Sequence, residues 1–158
     1  MTTQHDTSRV QVFKHAAGVY EGMVAFQSAA AKNFDQTVAE LVKIRASQIN
    51  RCAFCLDMHY ADARKLGETQ QRLDLIAAWD EVDGLFTERE QAALALTEAM
   101  TRLSDGHGVS DAVYARAAQH FDEGELAHLI AMIVAINAWN RFQVTQRAVP
   151  MSMAKGRA

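Results

Sequence analysis

The stretch DQTVAELVKIRASQINRCAFCLDMHYADARKLG, residues 35–67, reads as two helices folded back on each other at Asn50-Arg51. Asp35 is an N-cap residue type, its carboxylate able to accept from the free amides of the following turn, and it opens a helix through Glu40, Leu41, Ile44 and Ile49. Cys52 then stands at the start of a second helix, of about four turns, that carries Cys55, His59 and Ala63. This helix is predicted to end at Leu66-Gly67, because glycine adopts the left-handed conformation that closes helices. Packed as an antiparallel hairpin, the two helices bring the residue ten or eleven before the turn opposite Tyr60 or Ala61, which puts Glu40 within about one helical turn of His59.

The three-and-four spacing of apolar residues continues on both sides, and alternating β-branched runs bounded by Asn-Gly or Gly-Gly are absent. The fold class is therefore all-α, a helical bundle of about six to seven helices. Upstream, Val12, Ala16, Val19, Met23 and Phe26 line one stripe of a helix from about Arg9 to Lys32, with a break expected near Gly18 or Gly22. Downstream, a fourth helix runs from Gln71 to Val82, with Leu73, Ile76, Ala77 and Trp79 or Asp80 at the contact. Thr87-Glu88-Arg89-Glu90 has the form of a capping box and starts a fifth helix to Leu103. Ser110 caps a sixth to Phe121, and the last spans about Glu123 to Val149, with Leu126 to Ile136 central in the core.

Length and composition bound what such a bundle does. The 158 residues are 49% hydrophobic, with one proline, Pro150, and eight singly scattered glycines, so one domain over 1–158 is expected, with residues 1–8 and 151–158 as frayed tails. Net charge is −3 with lysine and arginine dispersed among acids, which disfavours nucleic-acid binding. The opening MTTQHDTSRV lacks a basic n-region and apolar h-region, and no stretch approaches a membrane span, so a cytoplasmic protein is expected. A reducing compartment argues against a structural role for the two cysteines and favours a reactive or metal-binding pair.

Cys52, Cys55 and His59 are spaced by three, four and seven, and at about 100° per residue they share one stripe. At about 1.5 Å rise per residue, His59 stands about 6 Å along the axis from Cys55 and about 10 Å from Cys52, so it reaches Cys55 more easily. A helix N-terminus and a neighbouring imidazole both favour thiolate. Thiols three apart at a helix start can close a disulfide, so one takes an oxidising hit and the other resolves it. Glu40 completes the set as a carboxylate that orients the ring and raises its basicity. Two other readings use the same residues. Cys52, Cys55, His59 and Glu40 could hold zinc, although structural sites usually recruit a second Cys or His pair, and no metal is expected; the cysteines could also be inert core residues.

Glu40, then eleven residues, Cys52-x-x-Cys55, three residues and His59, together with LVKIRASQINRCAFCLDMHYADARKLGE, AAWDE, FTEREQAALALTEAMT and INAWNRF, resembles the AhpD-like alkylhydroperoxidases of the carboxymuconolactone decarboxylase superfamily. The resemblance extends over nearly the whole chain after about Phe13. It implies an all-helical fold and a homo-oligomer, whether dimer, trimer or hexamer. It implies that Cys55 is the peroxidatic thiol, that Cys52 donates a proton and resolves the sulfenic acid as a disulfide, and that His59 and Glu40 form the proton relay. Some members of the family carry a second histidine just before the second cysteine. Phe54 stands there in this chain, and its apolar ring opposes thiolate formation while suiting an organic hydroperoxide.

The expected function is a thiol-dependent peroxidase or disulfide oxidoreductase that reduces an organic hydroperoxide and is regenerated by a thiol or lipoyl reductant protein, with no bound cofactor. The rivals are a lactone decarboxylase using His59 and Glu40 with incidental cysteines, and a redox-sensing or metal-binding module. Met58, beside His59, is placed to line a pocket. Asn137 and Arg141, four apart on one face, are read as a hydrogen-bonded helix or subunit contact, with a substrate-contacting role as the alternative. His5, His15, His107, His120 and His128 have no site-like spacing and are read as surface or structural.

Overall fold

The structure is a computed structural model describing residues 9–154. Its described residues form α1 (Val12–His15), α2 (Ala17–Ala31), α3 (Gln36–Ile49), α4 (Ala53–Lys65), α5 (Gln70–Leu75), α6 (Glu88–Thr101), α7 (Asp111–His120), α8 (Glu123–Thr145) and α9 (Met151–Ala154), with 3₁₀ turns at Ile76–Glu81 and Leu103–Asp105. Seven of these helices have six residues or more, and α1 and α9 are single turns. The all-α class is the one expected from the spacing of apolar residues.

Local chemistry sets the main boundaries. The Asp35 carboxylate accepts from the amides of Thr37 and Val38 and starts α3. Thr87 and Glu90 form the capping box of α6, each side chain satisfying the other's backbone N–H, and Asp122 with Glu125 does the same for α8. Ser110 caps α7 by accepting from Val113. At the close of α4, Gly67 takes φ +90°, the left-handed turn for which glycine was expected.

α3 runs through the middle and packs on α4, α6 and α8. One side of it, Val38 and Val42, joins Ala92, Leu96, Leu129, Met132 and Ile133 in a core that α2 and α7 close with Ala30 and Ala117. The other side, Leu41 and Ile44, meets Ala63, Leu73, Ile76, Trp79, Phe86 and Leu94. Leu126, Leu129, Met132, Ile133, Ala135 and Ile136 are buried, which makes the first half of α8 central. A helix buried on both flanks is held at several points, so its polar side chains are presented at fixed positions.

Three boundaries differ from the sequence reading by the most, the first two for a tertiary reason. The break in the first helix falls at Ala16 (φ −137°, ψ 65°), ahead of Gly18 and Gly22, which stay helical. Here α1 is aimed by long-range contacts: Val12 N–H donates to Gln146 Oε1 at 3.1 Å, and the Phe13 ring packs on Tyr20, Trp139 and Phe142. The fourth helix stops at Leu75 and continues as a 3₁₀ turn kinked at Ala78, which lets buried Trp79 donate its indole N–H to Glu98 at 2.9 Å. The last helix ends at Thr145, followed by Arg147 in the left-handed region, short of Val149.

The tail expected to fray from Met151 instead carries α9, whose Ser152 donates its backbone N–H (3.0 Å) and hydroxyl (2.6 Å) to the Asp57 carboxylate on α4. Residues 1–8 and 155–158, including His5, lie outside the described residues. His128 is satisfied by the carbonyl of Ala30 at 2.9 Å, tying α8 to the end of α2. No helix among the described residues is long and apolar enough to cross a membrane.

Candidate active site

The hairpin of α3 and α4 brings together all four candidate residues. Cys52 is the N-cap of α4, its Sγ accepting from the amide of Cys55 at 3.3 Å, and the two cysteines are joined in a disulfide. Each is 1% exposed. One turn further on, His59 Nδ1 lies 2.9 Å from Glu40 Oε2 on α3, and both side chains are buried. The helical register had placed Glu40 within a turn of His59, and the two are in hydrogen-bond contact.

The turn that makes this alignment is built from polar residues far apart in sequence. Arg51 adopts φ 54°, and the amide of Cys52 returns to the carbonyl of Ser47 at 3.0 Å. Asn50 Nδ2 donates to Asn137 Oδ1 and Asn140 Oδ1 on α8, both at 2.9 Å. Asn140 donates in turn to Ser47 Oγ, and Asn137 to Thr101 Oγ1, each at 3.0 Å. Arg141 donates to the carbonyl of Asn137 at 2.9 Å and to its side-chain oxygen at 3.2 Å. Asn137 and Arg141 are thus hydrogen-bonded elements of the scaffold, the former locking the turn before Cys52.

Lys43, one turn along α3 from Glu40, was not singled out in the sequence. Its ammonium donates to Glu40 Oε1 at 2.7 Å, so the two oxygens of one carboxylate serve a lysine and a histidine. Burial pushes the Glu40 carboxyl up, but the hydrogen bond and charge of His59, then the charge and hydrogen bond of Lys43, outweigh it and hold Glu40 below its ordinary 4.5. With Glu40 ionised, the proton between the two groups sits on Nδ1, leaving Nε2 of His59 as the acceptor. An acid three residues before a lysine on a helix was the available signal for this pair.

Cys55, His59 and Lys43 line a common cavity of about 360 Å³. Val24, Phe54, Met58 and Trp139 give it apolar walls, half-exposed Tyr20 stands toward solvent, and Gln27, Ser28 and Gln143 add neutral polar groups. The position expected for Met58 is the one it has. The Phe13, Tyr20, Trp139 and Phe142 rings form one cluster behind this wall, with centroids 5.2–6.0 Å apart. A second cavity, of about 240 Å³, meets Glu40 from another side between Thr37, Ala63, Leu66 and Arg72.

Metal binding fits this arrangement poorly. Donor atoms of Glu40, His59 and Asp62 lie within 4.8 Å of one another, but Lys43 already occupies Glu40, and Lys65 contacts Asp62 at 2.7 Å. Two ammonium groups so placed oppose a cation electrostatically. The arrangement suits chemistry in which a thiol at a helix start loses its proton to His59 and forms a bond to its neighbour.

Comparisons with known proteins point the same way. The sequence profile of the carboxymuconolactone decarboxylase family matches residues 17–99. The uncharacterised protein YdfG of Bacillus subtilis is 46% identical over 112 residues, covering 71% of this chain and 75% of its own length. A crystal structure of a protein of unknown function from Agrobacterium tumefaciens, described as a candidate antioxidant defence protein AhpD, superposes with a TM-score of 0.85 at 30% identity, over 91% of this chain and 98% of that one. An uncharacterised peroxidase-related protein from Silicibacter sp. TM1040 shares the fold at 19% identity, with a TM-score of 0.74 over 88% of this chain and 73% of that one. On its family profile, its YdfG relative and its fold, the chain belongs to the carboxymuconolactone decarboxylase family, among the AhpD-like proteins.

Proposed function

We propose that this chain, acting as a single domain, is a thiol-dependent peroxidase that reduces an organic hydroperoxide. The observation that carries the reading is the Cys52–Cys55 disulfide at the N-terminus of α4, whose Cys55 lines an apolar-walled cavity together with His59 of the His59–Glu40 pair. In the dithiol form, His59 Nε2 accepts the Cys55 proton while Glu40 holds the ring through Nδ1 and balances its charge. The Cys55 thiolate attacks the outer peroxide oxygen, the O–O bond breaks, and the products are a Cys55 sulfenic acid and, after protonation, an alcohol. Cys52 then attacks the sulfenate sulfur, water leaves, and the disulfide forms. Two reducing equivalents from an external dithiol, on a thiol or lipoyl protein, restore the resting state.

Burial of both sulfurs supports a slender reductant arm over a flat protein surface. The outward side of α2 supports a homo-oligomer: Val19 and Phe26, seven apart on one stripe, are both exposed at more than a third and are suited to covering by another copy. A cytoplasmic site of action goes with a cycle that relies on a reducing thiol pool.

The test is hydroperoxide consumption by reduced protein with and without dithiol, in wild type and in Cys52→Ser and Cys55→Ser. The expected result is dithiol-dependent turnover that Cys55→Ser abolishes, and a trappable sulfenic acid on Cys55 in Cys52→Ser. Thiols that react with peroxide no faster than free cysteine overturn the reading.

A further inference from the structure

Reduction of a hydroperoxide produces an alkoxide, and a group positioned at that departing oxygen lowers the barrier as charge develops on it. The described lining of the cavity holds Cys55 but not Cys52, which is buried at 1% exposure. His59 Nδ1 is committed to Glu40 and, in the peroxidase cycle, its Nε2 serves the Cys55 proton, while Gln27, Ser28 and Gln143 are neutral. Among the lining residues Lys43 supplies an ammonium group, and Glu40 Oε1 takes one of its three donors.

We propose that Lys43 is a further catalytic residue, whose ammonium donates to the alkoxide as the O–O bond breaks. The inference rests on the peroxidase reading and adds the fate of the proton to it. The Cys55 thiol gives its proton to His59, the sulfur takes the outer oxygen as OH, and the alkoxide takes a proton from Lys43. The pair formed by His59 and Glu40, whose carboxylate touches both groups, returns a proton to the lysine. The sum is thiol plus hydroperoxide to sulfenic acid plus alcohol, with no proton drawn from solvent. Lys43 contacts Glu40, which contacts His59 on α4; the Asp62 carboxylate lies within 4.8 Å of the Glu40 and His59 donor atoms and is paired with Lys65.

The test separates protonation of the leaving group from activation of the thiol. In a Cys52→Ser background, single-turnover oxidation of Cys55 is followed with tert-butyl hydroperoxide, whose alkoxide needs a proton, and with peracetic acid, whose carboxylate does not. Alkylation by iodoacetamide reports on the thiolate alone. Lys43→Met is expected to slow the tert-butyl hydroperoxide reaction about 100-fold. The peracetic acid and iodoacetamide rates are expected to stay within about threefold of the parent. Lys43→Arg keeps the counter-charge to Glu40 and serves as a folded control; guanidinium donates hydrogen bonds without releasing its proton, so it recovers only a minor part of the loss. An equal fall with all three reagents, or no selective fall with tert-butyl hydroperoxide, overturns the role of Lys43 while leaving the peroxidase reading in place. A parent protein that reacts with both peroxides no faster than free cysteine overturns both.

Discussion

Replacing Glu40 with glutamine changes one atom in shape and removes one charge. In the native site the carboxylate accepts from Lys43 at 2.7 Å and pairs with His59 at 2.9 Å, and its side chain is 10% exposed. Hydrogen bonds to charged groups contribute about 1.5–3 kcal/mol each, against about 1 kcal/mol for neutral ones. Neutralising the shared acceptor therefore costs about 2–4 kcal/mol, including the ammonium of Lys43 left without a counter-charge. For a domain of this size that is a fall in Tm of roughly 4–16 °C.

Glu40→Gln also turns an amide N–H₂ toward His59 Nδ1 and forces the opposite tautomer, so Nε2 no longer accepts. A loss of peroxide reduction of about 100-fold follows from loss of the base. The stability difference depends on pH in a defined sense. Glu40 is held below 4.5 in the folded protein, so its contribution is fully present above that pH and is lost as pH falls through the lower folded value. Thermal denaturation of wild type and variant at pH 7 and near pH 3 should show the gap at neutral pH and its contraction in acid. Equal Tm values at pH 7, or a gap that widens in acid, would refute the reasoning.

Three other outcomes follow from the scaffold. Asn140→Leu strands Asn50 and Ser47 beside the turn and should lower stability by about 2–3 kcal/mol in urea titration, with a larger fractional loss of peroxide turnover than of helical signal. Ile133→Ala, at a fully buried position on α8, should cost about 2–5 kcal/mol with little effect on the rate of Cys55 alkylation in protein that remains folded. Phe13→Ala removes the ring that joins Tyr20, Trp139 and Phe142 behind the cavity; KM for a bulky aromatic hydroperoxide should rise several-fold more than KM for hydrogen peroxide. A uniform change in both KM values would deny that cluster its part in shaping the wall.

The site was legible where local geometry determines it. Cys52, Cys55 and His59 share a stripe because helical period is a property of the backbone; Glu40 comes near His59 only if the two helices fold back on each other, and the family resemblance, not spacing, is what singled it out. Lys43 escaped because a lysine three residues after a glutamate on an amphipathic helix is commonly a solvated pair; its place in the cavity depends on residues of α2, α4 and α8 that line the same space, which no local pattern encodes. Asn137 and Arg141 showed themselves as one face, but the partner that gives Asn137 its purpose, Asn50, lies 87 residues away. The break at Ala16 and the kink at Ala78 had the same origin. Phe13 and Trp79 are anchored by distant side chains, and the backbone between anchors adjusts.

The hydrogen-bonded asparagines at the turn before Cys52 also constrain how this protein can diversify. Asn50, Ser47, Asn137, Asn140 and Thr101 are coupled donor to acceptor, so changing any one alone leaves a buried neighbour unmatched, and a working alternative needs two or more simultaneous exchanges. Val24, Phe54 and Met58 stand on the cavity wall without such reciprocity, and each can be exchanged singly for an apolar side chain of similar volume at modest cost. Descendants of this sequence therefore have stepwise routes to new substrates and few stepwise routes away from the placement of the cysteine pair.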